Sequence, residues 1–106
     1  MKNKNKITSF KEFYPFYLSE HLHPICRLLH FLGTGGVICL IMLSIINSIH
    51  LWVYAPLFGY SFAWLGHFVF EKNKPATFMY PIYSLIADFV MFFDLLTRRE
   101  KFNPSI

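Results

Sequence analysis

Charge is what this chain lacks. No Asp, Glu, Lys or Arg occurs from Leu28 to Phe70, and charged residues make up only 15% of the 106-residue sequence, against about 25% in a soluble domain. That uncharged run is about twice the ~20 apolar residues one helix needs to cross a bilayer. Cysteine is scarce too. Cys26 and Cys39 are too few for a disulfide framework, so two free thiols are expected, Cys26 near the cytoplasmic surface and Cys39 inside the bilayer. There is no repeat, no linker, and no low-complexity segment beyond the Lys/Asn-rich start. The basic N-terminus is followed by no apolar h-region and no small-residue cleavage site, so it reads as a cytoplasmic tail and not as a signal peptide. No basic stripe with interleaved aromatics is present, which excludes a nucleic-acid groove as the natural partner.

What is there is apolar and aromatic. The chain is 55% hydrophobic and 20% aromatic, more apolar surface than a water-soluble fold of this size could hide. The net charge of +4 comes from the two ends and one short loop, a pattern suited to anionic lipid headgroups. The expectation is an all-α integral membrane protein, one domain over residues 1–106. Phe10, Phe13, Tyr14, Tyr17, Leu18, Leu22, Ile25 and Leu29 recur at helical spacing among charged residues. They predict an N-terminal amphipathic helix over about 10–29, or two shorter ones split near Pro15 or Pro24. A helical hairpin follows, about 31–49 and 52–70, with Trp52 and Tyr54 as interface anchors. Gly33, Gly35 and Gly36 would let another helix approach closely, within the chain or in a homo-oligomer. The polar loop Glu71–Pro75 stops the second arm, and a membrane-embedded or interfacial helix covers about 77–96. Lys2, Lys4, Lys6, Lys11, Arg27, Lys72 and Lys74 place both termini in the cytoplasm, and a third full span would export Arg98, Arg99 and Lys101. The Lys/Asn/Ile-rich composition and short length fit a bacterial inner-membrane protein.

The hairpin returns His30 and His67 to the same side. His21, Arg27 and Glu71 belong to that level as well. His67 and Glu71 are four apart and share one helix face. His21 and His30 are nine apart, so on one unbroken helix they would point apart, and a bend near Pro24 is needed to join them. Imidazoles beside a carboxylate suit Fe(II) or Zn(II), and spacing does not separate the two. Arg27 matches a substrate carboxylate bidentately. Asp88 would pair with Arg27 or hold a ligand histidine from behind. His23 is either a helix-break residue or an accessory ligand, and His50 belongs to the opposite turn. The competing readings are a zinc-dependent lipid-modifying enzyme, a non-enzymatic membrane scaffold whose histidines pair only internally, and a bis-histidine haem protein.

Two blocks, FYPFYLSEHLHPICRLLHFLGT (13–34) and GYSFAWLGHFVFEKNKPATFMYPIYSLIADFVMF (59–92), resemble a family of small multipass membrane proteins. That family includes the fungal 2-hydroxy fatty acid dioxygenase of phytosphingosine breakdown and many short bacterial members. The likeness is strongest in H-x-H-P-x5-H (His21 to His30) and G-H-x-V-F-E-K-x-x-P-A (Gly66 to Ala76). It implies iron-dependent oxidation of a 2-hydroxy fatty acid by O2, shortening it by one carbon, with His21, His30 and His67 as Fe(II) ligands. Glu71 and Asn73 would be supporting residues of the same block. Set beside the reading of the residues themselves, Glu71 and Asp88 are the candidate catalytic residues and Arg27 and Asn73 the candidate substrate contacts. Fungal-type members carry Asn at the position of His23 and a longer hydrophobic region between the blocks.

Overall fold

A computed structural model describes residues 6–106; the expectations that rest on Lys2 and Lys4 lie outside them. Four α-helices form: α1 (Phe10–Ser19), α2 (Pro24–Asn47), α3 (Ala55–Leu65) and α4 (Pro81–Leu96). Among the described residues there is no strand, and the all-α expectation holds.

Several boundaries differ from the sequence reading. The N-terminal helix ends at Ser19, and α2 starts at Pro24 rather than near 31. Pro15 is accommodated inside α1, and the break falls before Pro24. The reason is local. Proline's ring disfavours helical geometry at the residue before it, and His23 is extended there (φ −74°, ψ 130°). Pro24 then suits the first helical position, while His23 Nδ1 accepts from the Ile25 N–H at 3.1 Å and caps the helix. His23 is thus the helix-break residue.

The second arm is not one α-helix. It runs as a 3-10 turn (Leu51–Tyr54), α3, and a π-helical turn (Gly66–Glu71). Of the described helices, only α2 is long and apolar enough to cross a membrane. The C-terminal helix starts at Pro81, after a separate 3-10 turn over Ala76–Phe78.

α3 runs back along α2, and α4 packs on another flank of α2. The glycines set both approaches. A Cβ on Gly33 would lie 2.9 Å from Cβ of Phe62, the ring of Phe58 fills the space beside Gly36, and a Cβ on Gly35 would meet Phe92 of α4 at 3.1 Å. The close helix approach predicted from these glycines therefore occurs within the chain. α3 and α4 scarcely touch each other, which leaves a gap between them floored by α2. α4 also packs on α1. Phe13 sits between Tyr80 and Tyr83, with centroids at 5.3 and 5.4 Å, and the Tyr14 hydroxyl donates to Asp94 at 2.7 Å. The buried core lies here: Phe13, Tyr17, Ala76, Ala87, Met91 and Leu95. Beyond α4 the chain returns to the start of α2, where Arg27 holds Glu100 and Lys101.

Candidate metal centre

Three elements each deliver one imidazole. His21 lies in the break between α1 and α2, His30 in the second turn of α2, and His67 in the π-helical turn. All three are buried. Nε2 of His21 lies 3.1 Å from Nε2 of His30 and 3.0 Å from Nε2 of His67. The bend at Pro24 is what brings His21 and His30 together, as their spacing required.

The opposite nitrogens define the protonation. Nδ1–H of His21 donates to the Tyr17 carbonyl at 2.6 Å, that of His30 to the Cys26 carbonyl at 2.9 Å, and that of His67 to Oδ1 of Asn73 at 2.7 Å. Each ring is held as the Nδ1–H tautomer, so each Nε2 presents a lone pair to the others. Burial, and then the neighbouring His30 and His67, hold the His21 imidazole well below the usual histidine range. His21 is therefore neutral at pH 7. Lone pairs gathered at that spacing repel unless a cation lies among them. Two nitrogens at ~2.1 Å from one ion sit roughly 3 Å apart, so the donor set fits a transition-metal ion. The same spacing leaves no room for a haem macrocycle between the imidazoles.

The support of this cluster is built locally. A π-helical turn is uncommon and recurs at functional sites. Here it is closed by Lys72 in left-handed geometry (φ 61°) and by the Asn73 N–H, which bonds the His67 carbonyl at 3.1 Å. The Asn73 side chain then takes the His67 proton and donates its own N–H to the Glu20 carbonyl at 3.1 Å. Tyr17 stacks on His21 with ring centroids 4.0 Å apart, and its hydroxyl donates to Asp88. Burial, reinforced by Asp88, pushes the Tyr17 phenol well above its ordinary value, so it stays a donor.

The other predicted residues fall into different places. Asn73 orients His67 from behind. Glu71 lies outside the three-histidine group and accepts the His23 N–H at 2.5 Å, which ties the π-helical turn to the start of α2. Asp88 lines the small cavity beside the histidines and pairs with Tyr17 rather than with Arg27. Arg27, expected to face a substrate carboxylate, is only 2% exposed and turned inward. Its Nε donates to the His21 carbonyl at 2.6 Å, and one terminal nitrogen serves both Glu100 (3.0 Å) and the Lys101 carbonyl (2.7 Å). Ser84 was missed. It lines the same cavity, and its buried hydroxyl has no hydrogen-bond partner. A lone serine on an apolar helix carries no sequence signal of that kind.

Fold and site together define a small all-α protein with a buried three-histidine centre. Residues 7–100 match the family model described as 2-hydroxy-palmitic acid dioxygenase Mpo1-like. The chain belongs to this Mpo1-like family. No curated protein and no solved structure matches it.

Proposed function

We propose that this protein is a non-haem, Fe(II)-dependent dioxygenase that shortens 2-hydroxy fatty acids by one carbon at the cytoplasmic face of a membrane. The observation that carries the reading is the convergence of three neutral imidazoles on one point, in a chain whose family is described by a 2-hydroxy-palmitic acid dioxygenase. His21, His30 and His67 would hold the metal, and bound iron would supply O2 activation and polarise the substrate oxygens. Conversion of RCH(OH)COOH and O2 to RCOOH, CO2 and water balances without an external reductant.

The chain's own residues supply position. The Tyr17 and Cys26 carbonyls and Asn73 fix the tautomers, which keeps the three Nε2 atoms available as donors to a metal. Asp88 lines the cavity and pairs with Tyr17; in this reading it would accept the proton of the substrate's 2-hydroxyl while Tyr17 steadies its carboxylate. Tyr60 and Trp64 line the cavity and, with an acyl chain in place, would help keep water from the reacting atoms.

The test is O2 uptake by detergent-purified protein reconstituted with Fe(II), with 2-hydroxypalmitate and with palmitate. Uptake only with the 2-hydroxy acid, yielding the acid one carbon shorter, is expected. Its loss in His67→Ala, along with the bound iron, is expected too. Turnover with zinc in place of iron, or full turnover and iron content in His67→Ala, would overturn the reading.

A further inference from the structure

The gap between α3 and α4 is a cavity of about 390 Å³, the size of a small-molecule site. Its floor is one face of α2: His30, Thr34, Val37 and Ile41. On α3 its wall includes Ala55, Gly59 and Ala63, one turn apart and small, with Pro56 and Tyr60 beside them. It runs into the small cavity at the histidines, and the order of the lining residues gives its direction. On α4, Ser84 lines only the histidine cavity, Asp88 lines both, and Leu85 and Phe89 line only the groove, so the direction is carried by α3. On α3, Trp64 lines only the histidine cavity, Ala63 lines both, and Ala55 lines only the groove. From His30 to Ile41 the helix rises ~16 Å. The groove is therefore long, narrow and apolar, with its polar end at the candidate metal centre.

That polar end holds an unanswered donor. Ser84 is 3% exposed and its Oγ meets no partner. A buried hydroxyl left unpaired costs free energy and is uncommon without a ligand to satisfy it. Arg27 is turned away from this role, its Nε held by the His21 carbonyl and one terminal nitrogen by Glu100 and the Lys101 carbonyl.

We propose that this groove is the acyl-chain site, with the Ser84 hydroxyl donating to the carboxylate of a long-chain acid and Ala55 setting the chain length accepted. The inference rests on the lipid-oxidising reading above and adds where the substrate lies. The carboxylate sits at Ser84, the second carbon faces Asp88 one turn further along α4, and the tail extends past Ala63 and Gly59 towards Ala55.

Equilibrium binding, measured calorimetrically on the metal-loaded protein in detergent under anaerobic conditions, tests it apart from turnover. The probes are palmitate, 2-hydroxypalmitate and 2-hydroxyoctanoate. Ser84→Ala should bind both C16 acids about ten-fold more weakly. It should leave thermal stability unchanged or slightly raised, since no internal hydrogen bond is lost. Ala55→Phe should weaken 2-hydroxypalmitate about ten-fold or more and spare 2-hydroxyoctanoate. Ala63→Phe, at the junction, should weaken both, and retained metal content reports an intact centre in each variant. A Ser84→Ala effect confined to the 2-hydroxy acid, or Ala55→Phe affecting short and long acids alike, overturns the proposal. The predicted binding pattern without O2 uptake would leave this site standing and remove the dioxygenase reading instead.

Discussion

Arg27 shows how a residue's chemistry can be read correctly and its task misread. A guanidinium near a histidine cluster matches a carboxylate ligand, but the carboxylate it meets is Glu100, across the fold. Its other donor reaches the carbonyl of His21, so it braces the break that carries one of the three clustered imidazoles. Lysine cannot reproduce that fork. Arg27→Lys should therefore destabilise the protein by about 3 kcal/mol, as expected for breaking a buried charged network. Thermal or denaturant unfolding checks this, and a variant of normal stability with only a raised KM would restore the substrate role. His21 gives a second prediction. Its folded pKa is lowered, while in the unfolded chain it titrates near ~6.5. Protons are then taken up on unfolding, so stability contributed by neutral His21 is complete above that value and is lost as pH falls below it. Unfolding of metal-free protein across this window should show the loss, and His21→Gln should reduce its slope. At this scale the sequence showed which imidazoles gather and that a bend near Pro24 must join two of them. It showed neither the partner of Arg27 nor the orphan hydroxyl of Ser84, because both depend on contacts from distant elements.

Among the elements, the π-helical turn was not legible. Apolar residues continue through Gly66–Phe70 without a change of pattern, and the register is set by tertiary contacts. Gly66 is one of them. A Cβ there would lie 3.0 Å from Sγ and 3.3 Å from Cα of Cys26, one turn before His30. The side chain could shift, but the α2 backbone could not without moving His30. Gly66→Ala should push the turn that carries His67 away from α2 and weaken metal binding about ten-fold or more, with helix content retained. Metal titration alongside circular dichroism checks it, and unchanged affinity would show that the turn has slack. The return of α3 along α2 was legible, because the polar break at Asn47–His50 is a local signal. The exact ends of α2 and α4 were not, since proline capping and the separate turn at Ala76–Phe78 decided them.

For the molecule as a whole, the distribution of exposed apolar side chains points outward. Ile45, Ile46, Val53, Leu57 and Leu65 are large hydrophobics left exposed along the α2–α3 pair, and a soluble monomer rarely shows so extended an apolar surface. The described lysines and arginines lie elsewhere: on and just before α1, at Arg27, in the loop after the π-helical turn, and beyond α4. α4 is tied to α1 through Asp88 and Asp94, and the chain after it to Arg27. These contacts hold the C-terminal segment at the α1 end of the hairpin. Of the two arms, only α2 is by itself long and apolar enough to span. As part of the proposed membrane function, we propose that α2 and the arm after it cross the bilayer with the Asn47–His50 turn on the face opposite α1 and the C-terminal segment, in keeping with the bias of basic residues to the cytoplasmic side. Single-cysteine variants in a background lacking Cys26 and Cys39 test it with a membrane-impermeant thiol reagent on intact cells. Asn47→Cys should label from outside, and Ser105→Cys only after the membrane is opened. If α4 were a third crossing, Ser105→Cys would label from outside as well. If neither position were protected or exposed by the membrane, the apolar belt would belong to a protein interface, and the acyl groove would have to be filled from solution rather than from the bilayer.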